Sequence, residues 1–125
     1  MDEYMMDHLH ANLGILGDAK GAFERSMHFA EQIWGENAFK RPVDGGWRDL
    51  MIAGMYDAQM IALGGFSDPQ LEEIVSKKHH VVTKTIDLVQ GDETFDEAIR
   101  TATNTPSRIR FRVQRMGELL GSVLV

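Results

Sequence analysis

Apolar residues recur at intervals of three and four along most of the chain, the spacing that places them on one face of a helix. No segment shows the strict alternation of a half-buried strand. We therefore predict an all-α fold, a compact array of about six helices in one helical domain spanning residues 1–125. The predicted helices cover approximately residues 2–16, 18–34, 47–63, 68–89, 94–101 and 105–120.

The third of these segments, residues 47–63, is apolar on most of its faces instead of along one stripe. Its apolar residues include Trp47, Leu50, Met51, Ile52, Met55, Met60, Ile61 and Leu63. A helix with this pattern usually lies at the buried centre of its domain. We predict that this helix is the central one and that Gly64 and Gly65 end it.

The first segment, residues 2–16, carries a single apolar stripe. The stripe consists of Met5, Met6, Leu9, Leu13 and Leu16. Gly14 and Gly17 weaken the C-terminal end of this segment as a helix, because glycine is a poor helix former. The pattern predicts an amphipathic helix with a polar opposite face.

Several helix boundaries are marked by capping residues. Ser67 followed by Gln70 has the spacing of a capping box, and Thr94 followed by Glu97 has the same spacing. Between the second and third predicted helices, residues 36–46 contain a proline and a pair of glycines, which predicts a loop.

Composition restricts the classes of function that the chain can have. It has no cysteine, which excludes a disulfide scaffold, a thiolate metal site and a cysteine nucleophile. Its formal net charge of −6 argues against a dedicated non-specific nucleic-acid binder. No apolar run reaches the roughly 20 residues of a membrane span, and the start Met-Asp-Glu does not resemble a secretory signal. We predict a soluble cytoplasmic protein that does not bind a membrane.

Two predicted helices each carry carboxylates and a histidine on one face, an arrangement that can hold a metal pair between facing helices. The two sets are Glu3, Asp7 and His10 on the first helix, and Glu24, His28 and Glu31 on the second. The first set lies opposite the apolar stripe of its helix, and the second lies beside its stripe, towards solvent. We therefore interpret both as solvated faces and predict no cofactor, with a metal-dependent helical-bundle enzyme as an alternative.

Asp57 lies within the helix that we expect to be buried. A buried carboxylate needs a partner or it takes up a proton. We predict a structural ion pair with Arg112 or Arg100.

The last helix carries the best local candidate for a binding surface. Arg108, Arg112 and Arg115 share one face, and Phe111 points away from the apolar stripe, so that it should be exposed on this helix alone. An arginine row beside an exposed aromatic residue can bind a protein partner or the phosphates of DNA. The alternative is that the arginines pair with the surplus carboxylates of the domain and that the first helix covers Phe111.

Five short motifs occur in order between Phe23 and Leu120. They are Ile33-Trp34-Gly35-Glu36-Asn37-Ala38-Phe39-Lys40, Met55-Tyr56-Asp57-Ala58, Phe95 to Ile99, Thr103-Asn104 and Arg112-Val113. In order and spacing they resemble the C-terminal helical half of a large prokaryotic family whose full-length members begin with a ParB-like domain. That family includes the GmrSD-type modification-dependent restriction enzymes and related phage-defence nucleases.

The resemblance implies that this chain is not catalytic. In the family, nucleotide-dependent activity is assigned to the ParB-like half, which carries an Asp-Gly-Gln-Gln-Arg motif, and cleavage to that half or to an attached His-Asn-His-type nuclease domain. This sequence lacks the motif. Lys40 stands where the family usually has arginine, so any anion contact there is made by a point charge and not by a bidentate fork.

Three hypotheses follow. The leading one is a helical interaction or scaffold domain of a ParB-like, restriction-type defence protein, an excised domain, truncated relative or separate subunit that contacts a partner or DNA through Arg108, Phe111, Arg112, Arg115 and Lys40. The second is a stand-alone homo-oligomeric protein with a regulatory role, and the third is the metal-dependent enzyme. The sequence does not identify the partner, the oligomeric state or any DNA preference.

Overall fold

Helices dominate the computed structural model, which describes residues 20–101 and 105–124. The predicted first helix lies outside the described residues, as do Glu3, Asp7, His10, Thr103 and Asn104. The described elements are α1 (20–34), a 3₁₀ turn (Gly35–Asn37), β1 (Lys40–Val43), β2 (Gly46–Met51), α2 (Ala53–Leu63), α3 (Asp68–Ser76), α4 (Lys78–Gly91), α5 (Glu93–Arg100) and α6 (Pro106–Ser122).

The main departure from the prediction is an antiparallel hairpin formed by β1 and β2. Pro42 lies opposite Trp47 and Val43 opposite Gly46, and Gly45 in the turn has a φ of 83°. The prediction of no strand was therefore wrong, and residues 36–46 are not simply a loop. The predicted third helix also begins six residues late, at Ala53, because residues 47–51 pair with β1 instead of coiling.

The shortened α2 packs on α5 and α6. Met55, Ala58 and Leu63 have no exposed surface. A Cβ atom added at Gly54 would collide with the backbone of Ile99 in α5. The close approach of these two helices therefore requires glycine at that position. That α2 is the centre of the domain stays a prediction.

The predicted helix over 68–89 is two helices, α3 and α4, which meet at Lys77. Lys77 leaves the helical conformation, with φ −110° and ψ 25°, and its Nζ donates a hydrogen bond of 2.6 Å to the carbonyl of Val123. The junction is thereby tied to the end of α6. The capping box at the start of α3 is confirmed, since Ser67 and Gln70 each accept a bond from the other's backbone amide.

The start of α5 differs from the prediction. Asp92, not Thr94, is its N-cap, and one carboxylate oxygen accepts a hydrogen bond of 3.1 Å from the backbone amide of Phe95. Aspartate is among the best N-cap residues because its oxygen satisfies one of the free amides of the first turn.

The apolar core lies between α1 and the helices α2 to α6. Two buried polar contacts cross it. The indole Nε1 of Trp34 donates to the hydroxyl of Thr85 at 3.0 Å, which joins α1 to α4. The side-chain oxygen of Gln59 accepts a bond of 2.9 Å from the backbone amide of Phe39, which joins α2 to the residue before the hairpin.

Candidate interaction surfaces

The middle arginine of the predicted arginine row is in the interior. Arg112 has no exposed surface, and its guanidinium donates to the carbonyl of Ala98 and to the carboxylate of Asp57, each at 3.1 Å. The predicted pairing of Asp57 with Arg112 is confirmed. The prediction that Arg112 lies on a binding face was wrong, because a residue without exposed surface cannot contact a partner unless the domain opens.

Arg115 and Arg108 lie nearer the surface but contact carboxylates. Two nitrogens of Arg115 donate to Asp92 at 2.8 and 3.2 Å, and a third donates to Glu118 at 3.0 Å. Arg108 lies 3.7 Å from Glu97. These contacts agree with the alternative interpretation of the arginine row, in which the arginines pair with the surplus carboxylates of the domain.

The same contacts shift the pKa values of Asp92 and Arg115. The pKa of Asp92 lies below its ordinary value, first because its carboxylate accepts the Phe95 amide and second because it accepts from Arg115. The pKa of Arg115 is raised, mainly by its hydrogen bond to Asp92. Arg115 therefore strengthens the cap of α5 instead of offering a free cation.

Phe111 is partly buried and packs against the edge of the core. The expectation of a freely exposed aromatic residue beside the arginines was therefore wrong. Of the predicted α6 face, Arg108 and Arg115 are partly exposed, whereas Arg112 is buried.

Lys40 lies on β1, where its Nζ is 3.0 Å from Asp49 on the neighbouring strand. Only 16% of its side chain is exposed. The adjacent Arg41 binds Asp96 of α5 through two nitrogens, at 2.7 and 2.9 Å. Asp96 also accepts from Arg100 at 3.1 Å.

The contact between Arg41 and Asp96 fastens the hairpin to α5. The Arg41 hydrogen bond is the main cause of a lowered pKa at Asp96, and the same bond raises the pKa of Arg41. A bidentate pair of this kind has both strength and a fixed geometry. The hairpin is therefore held by a charged contact at β1, which leaves β2 as the distal strand.

The second metal-candidate set, Glu24, His28 and Glu31, is exposed on α1. Within residues 20–101 and 105–124, no group of three histidines, aspartates or glutamates is placed to hold a metal ion. The members of the first set lie outside the described residues.

Among the described residues, the most exposed large apolar side chains are on β2. Leu50 is 54% exposed and Met51 is 63% exposed, and Arg48 on the same strand is also exposed. We call Arg48, Leu50 and Met51 the outer-strand surface. In the described part of the chain β2 has one strand partner, β1, and β1 lies beside α4.

Sequence reasoning missed the outer-strand surface because it assigned all of these residues to a buried helix. The signal that could have found it is Asp44-Gly45, a turn sequence placed between two short runs with apolar residues. Trp47 alone of this strand packs against the core.

A separate apolar groove lies between α1 and α2. It has a volume of about 560 Å³ and is lined by Ala22, Phe23, Ser26, Tyr56, Met60, Ile61, Gly64 and Gly65. Phe23 is 47% exposed and Ile61 is 52% exposed. We call this feature the α1–α2 groove.

Comparison of the chain with protein-family models, with curated proteins and with solved structures finds no match. Among the helices that the structure describes, none is both long and apolar enough to cross a bilayer.

Proposed function

We propose that this chain is a non-catalytic interaction domain of a ParB-like, restriction-type defence system, and that its outer-strand surface binds the protein partner. The observation that carries the proposal is the exposure of Leu50 and Met51 on β2, whose outer edge pairs with no other strand among the described residues. The proposal keeps the leading hypothesis from the sequence but moves the binding surface from α6 to the hairpin.

The chemistry of β2 suits a protein ligand. A strand edge offers backbone amides and carbonyls that can pair with an extended segment of another chain, and the side chains beside it supply specificity. Methionine and arginine are enriched at protein interfaces, and Leu50 adds apolar area that water solvates poorly. Arg41 and Asp96 hold the hairpin in place, so that little ordering has to accompany binding.

The residues that carry the family resemblance support a structural role instead of a catalytic one. Asp57 and Arg112, from two different motifs, form one ion pair. Phe39, from a third motif, and Tyr56, from the same motif as Asp57, have ring centroids 5.0 Å apart. Motif residues that contact each other across elements are what a shared fold needs.

The charges favour a protein partner over DNA. The chain has a formal net charge of −6, and of the three arginines predicted to contact phosphate one is buried and two lie against carboxylates. Affinity for DNA depends on the number of phosphates that free cations neutralise. A second copy of this chain, paired through β2, is the alternative partner that the test distinguishes.

The test is co-purification with a protein of the same host that carries the Asp-Gly-Gln-Gln-Arg motif, followed by a measured dissociation constant. In the double variant Leu50→Asp, Met51→Asp we expect binding roughly a hundredfold weaker, because two apolar side chains lose their burial in the interface. The matched control is Ile61→Asp, a similarly exposed apolar residue in the α1–α2 groove. It should bind as the unmodified chain does.

Equal binding by the double variant would refute the outer-strand surface as the contact. Absence of any complex with such a protein, together with a dimer that the double variant dissociates, would replace the proposal with the homo-oligomer. Circular dichroism of each variant checks that the fold is retained.

A further inference from the structure

A second apolar recess lies next to the outer-strand surface, between α1, the 3₁₀ turn, β2 and α2. Its volume of about 460 Å³ falls within the range of about 300–1,000 Å³ that is usual for ligand-binding pockets. Met51 lines it and also belongs to the outer-strand surface, so the two features are continuous. We call this recess the methionine hollow, and its apolar lining consists of Met27, Ala38, Phe39, Met51 and Tyr56.

The aromatic floor of the methionine hollow is fixed by contacts on both sides of Phe39. This residue has a φ of 67°, in the left-handed region that residues other than glycine seldom adopt. Its amide donates to the Gln59 side chain at 2.9 Å, and its carbonyl accepts from the Ile52 amide at 3.0 Å. Its ring centroid lies 5.0 Å from that of Tyr56. A ligand therefore meets a formed surface, and little ordering has to accompany binding.

Two carboxylates lie at the rim of the methionine hollow, Glu31 on α1 and Glu36 in the 3₁₀ turn. Both are exposed, and neither forms an ion pair with a cation of the described residues. All 13 lysines and arginines of the sequence lie within those residues. The chain therefore has no further lysine or arginine that could neutralise the rim, and a cation that does so comes from another molecule.

The charges also decide which occupant fits the hollow. Residues 1–19 of this chain contain no lysine or arginine but four carboxylates, those of Asp2, Glu3, Asp7 and Asp18. A second copy of the chain carries the same formal net charge of −6. Because like charges oppose association and opposite charges favour it, the rim selects a basic segment of a different protein.

An arginine side chain matches both the floor and the rim of the hollow. Its methylene stem can lie along apolar side chains while its charged end stays in water. The planar guanidinium stacks on aromatic rings, as Tyr56 offers here, and binds carboxylates through two nitrogens at once. Methionine side chains are flexible and adapt to the shape of such a stem.

We propose that the methionine hollow binds an arginine side chain of an extended segment of the protein partner. The stem of this arginine lies against Met27 and Met51, and its guanidinium binds Glu31 and Glu36. The inference rests on the proposed function, because the same segment continues from Met51 along the outer-strand surface. It adds the requirement that the segment of the partner which binds β2 contains an arginine.

The test uses the full chain and, as the probe, a phage-displayed library of random short peptides. Peptides selected on the chain should share an arginine next to apolar residues. In a synthetic copy of a selected peptide, citrulline in place of that arginine should weaken binding roughly tenfold. Citrulline keeps the length and the planar end of the side chain but has no charge, so the loss measures the contribution of the cation.

The rim is tested with the double variant Glu31→Gln, Glu36→Gln. We expect it to bind the selected peptide roughly tenfold more weakly, because the guanidinium loses both carboxylates. The matched control is Glu72→Gln, Glu93→Gln, which removes the same charge from exposed positions outside the hollow. It should bind as the unmodified chain does. An equal loss in the two double variants would mean that binding follows net charge alone, and would overturn the proposal.

The floor is tested by nuclear magnetic resonance of the methionine methyl groups. The selected peptide should shift the signals of Met27 and Met51 and leave that of Met116, which has no exposed surface, in place. Failure to select any peptide, selected peptides without a shared arginine, or unchanged signals of Met27 and Met51 would each overturn the proposal.

These outcomes are separate from the test of the proposed function, which measures a complex with a protein that carries the Asp-Gly-Gln-Gln-Arg motif. A complex weakened by Leu50→Asp, Met51→Asp but not by Glu31→Gln, Glu36→Gln would keep the proposed function and remove this inference. Arginine peptides that bind as expected, with no such complex formed, would keep the hollow as a peptide site and remove the proposed function.

Discussion

At the scale of single residues, Arg112 is the clearest case of a charge whose role depends on its surroundings. It belongs to a sequence pattern that is typical of a binding face, yet it lies in the interior between α2 and α5, bonded to Asp57 and to the Ala98 carbonyl. Breaking a buried pair costs more than the pair contributes, because the remaining charge is left without compensation.

We expect Arg112→Ala to lower the free energy of unfolding by about 3 kcal/mol, since Asp57 and the Ala98 carbonyl lose their donor. Urea denaturation measures this. Arg110→Ala is the matched control, because Arg110 is an exposed arginine on the same helix, and it should change stability by less than about 0.5 kcal/mol. A loss of partner binding with unchanged stability in Arg112→Ala would instead restore the arginine face.

The pairing of Asp57 could be predicted from the sequence, but the burial of Arg112 could not. An aspartate among apolar residues of a helix needs a partner or takes up a proton, and an arginine of a later helix can supply the partner. Spacing along α6 gives the direction of Arg112 relative to its own helix. It does not say that α2 and α5 pack on that side, because this depends on contacts between residues far apart in sequence.

At the scale of elements, the predicted helices of the described residues are present with changed bounds, whereas the hairpin was predicted as a loop and the start of a helix. Residues 47–51 are compatible with a helix or a strand, and five residues are too few for periodicity to distinguish them. Pro42 in β1 also argues against a strand, but it is accepted in a two-stranded sheet. The break between α3 and α4 falls at Lys77, and neither glycine nor proline stands next to it in the sequence. No local signal therefore predicts the break.

The packing of α2 on α5 gives a test at this scale. We expect Gly54→Ala to lower the free energy of unfolding by about 2 kcal/mol, because the new Cβ displaces the Ile99 backbone. Gly117→Ala is the control, since Gly117 lies within α6 with no described atom within 4 Å of the position of its Cβ. It should raise stability by about 0.5–1 kcal/mol by replacing a poor helix former.

Thermal unfolding of the two alanine variants, followed by circular dichroism, measures both effects. A stabilising Gly54→Ala would mean that α2 and α5 are farther apart than described here.

At the scale of the whole molecule, ion pairs connect elements that are distant in sequence. Arg41 and Asp96 join the hairpin to α5, and Arg115 joins α6 to Asp92 at the start of α5. Both aspartates have a pKa below the ordinary value in the folded state. Their contribution to stability is therefore complete above about pH 4 and disappears as the pH falls through the lowered pKa.

We therefore expect the free energy of unfolding to fall steeply below about pH 4, and Asp96→Asn to reduce that slope. At pH 7 the same variant should be less stable by about 1–2 kcal/mol, because Asp96 is largely covered and accepts bonds from two arginines. Chemical denaturation between pH 2 and 7, within the range where carboxylates titrate, measures both. The exposed Asp87, changed to asparagine, should leave the slope as it is; an equal effect of the two variants would refute the assignment.

The hydrogen bond to Thr85 holds Trp34 in surroundings different from those of Trp47, and this has a consequence for spectroscopy. The sequence has two tryptophans, Trp34 in the core and Trp47 at the hairpin, where it is half-buried. Their indoles therefore report on different events, one on the packing of α1 against α4 and the other on the seating of the hairpin. Replacing either with phenylalanine leaves a single tryptophan, which can be excited apart from the two tyrosines, so that the motions of the two regions can be followed separately without an added dye.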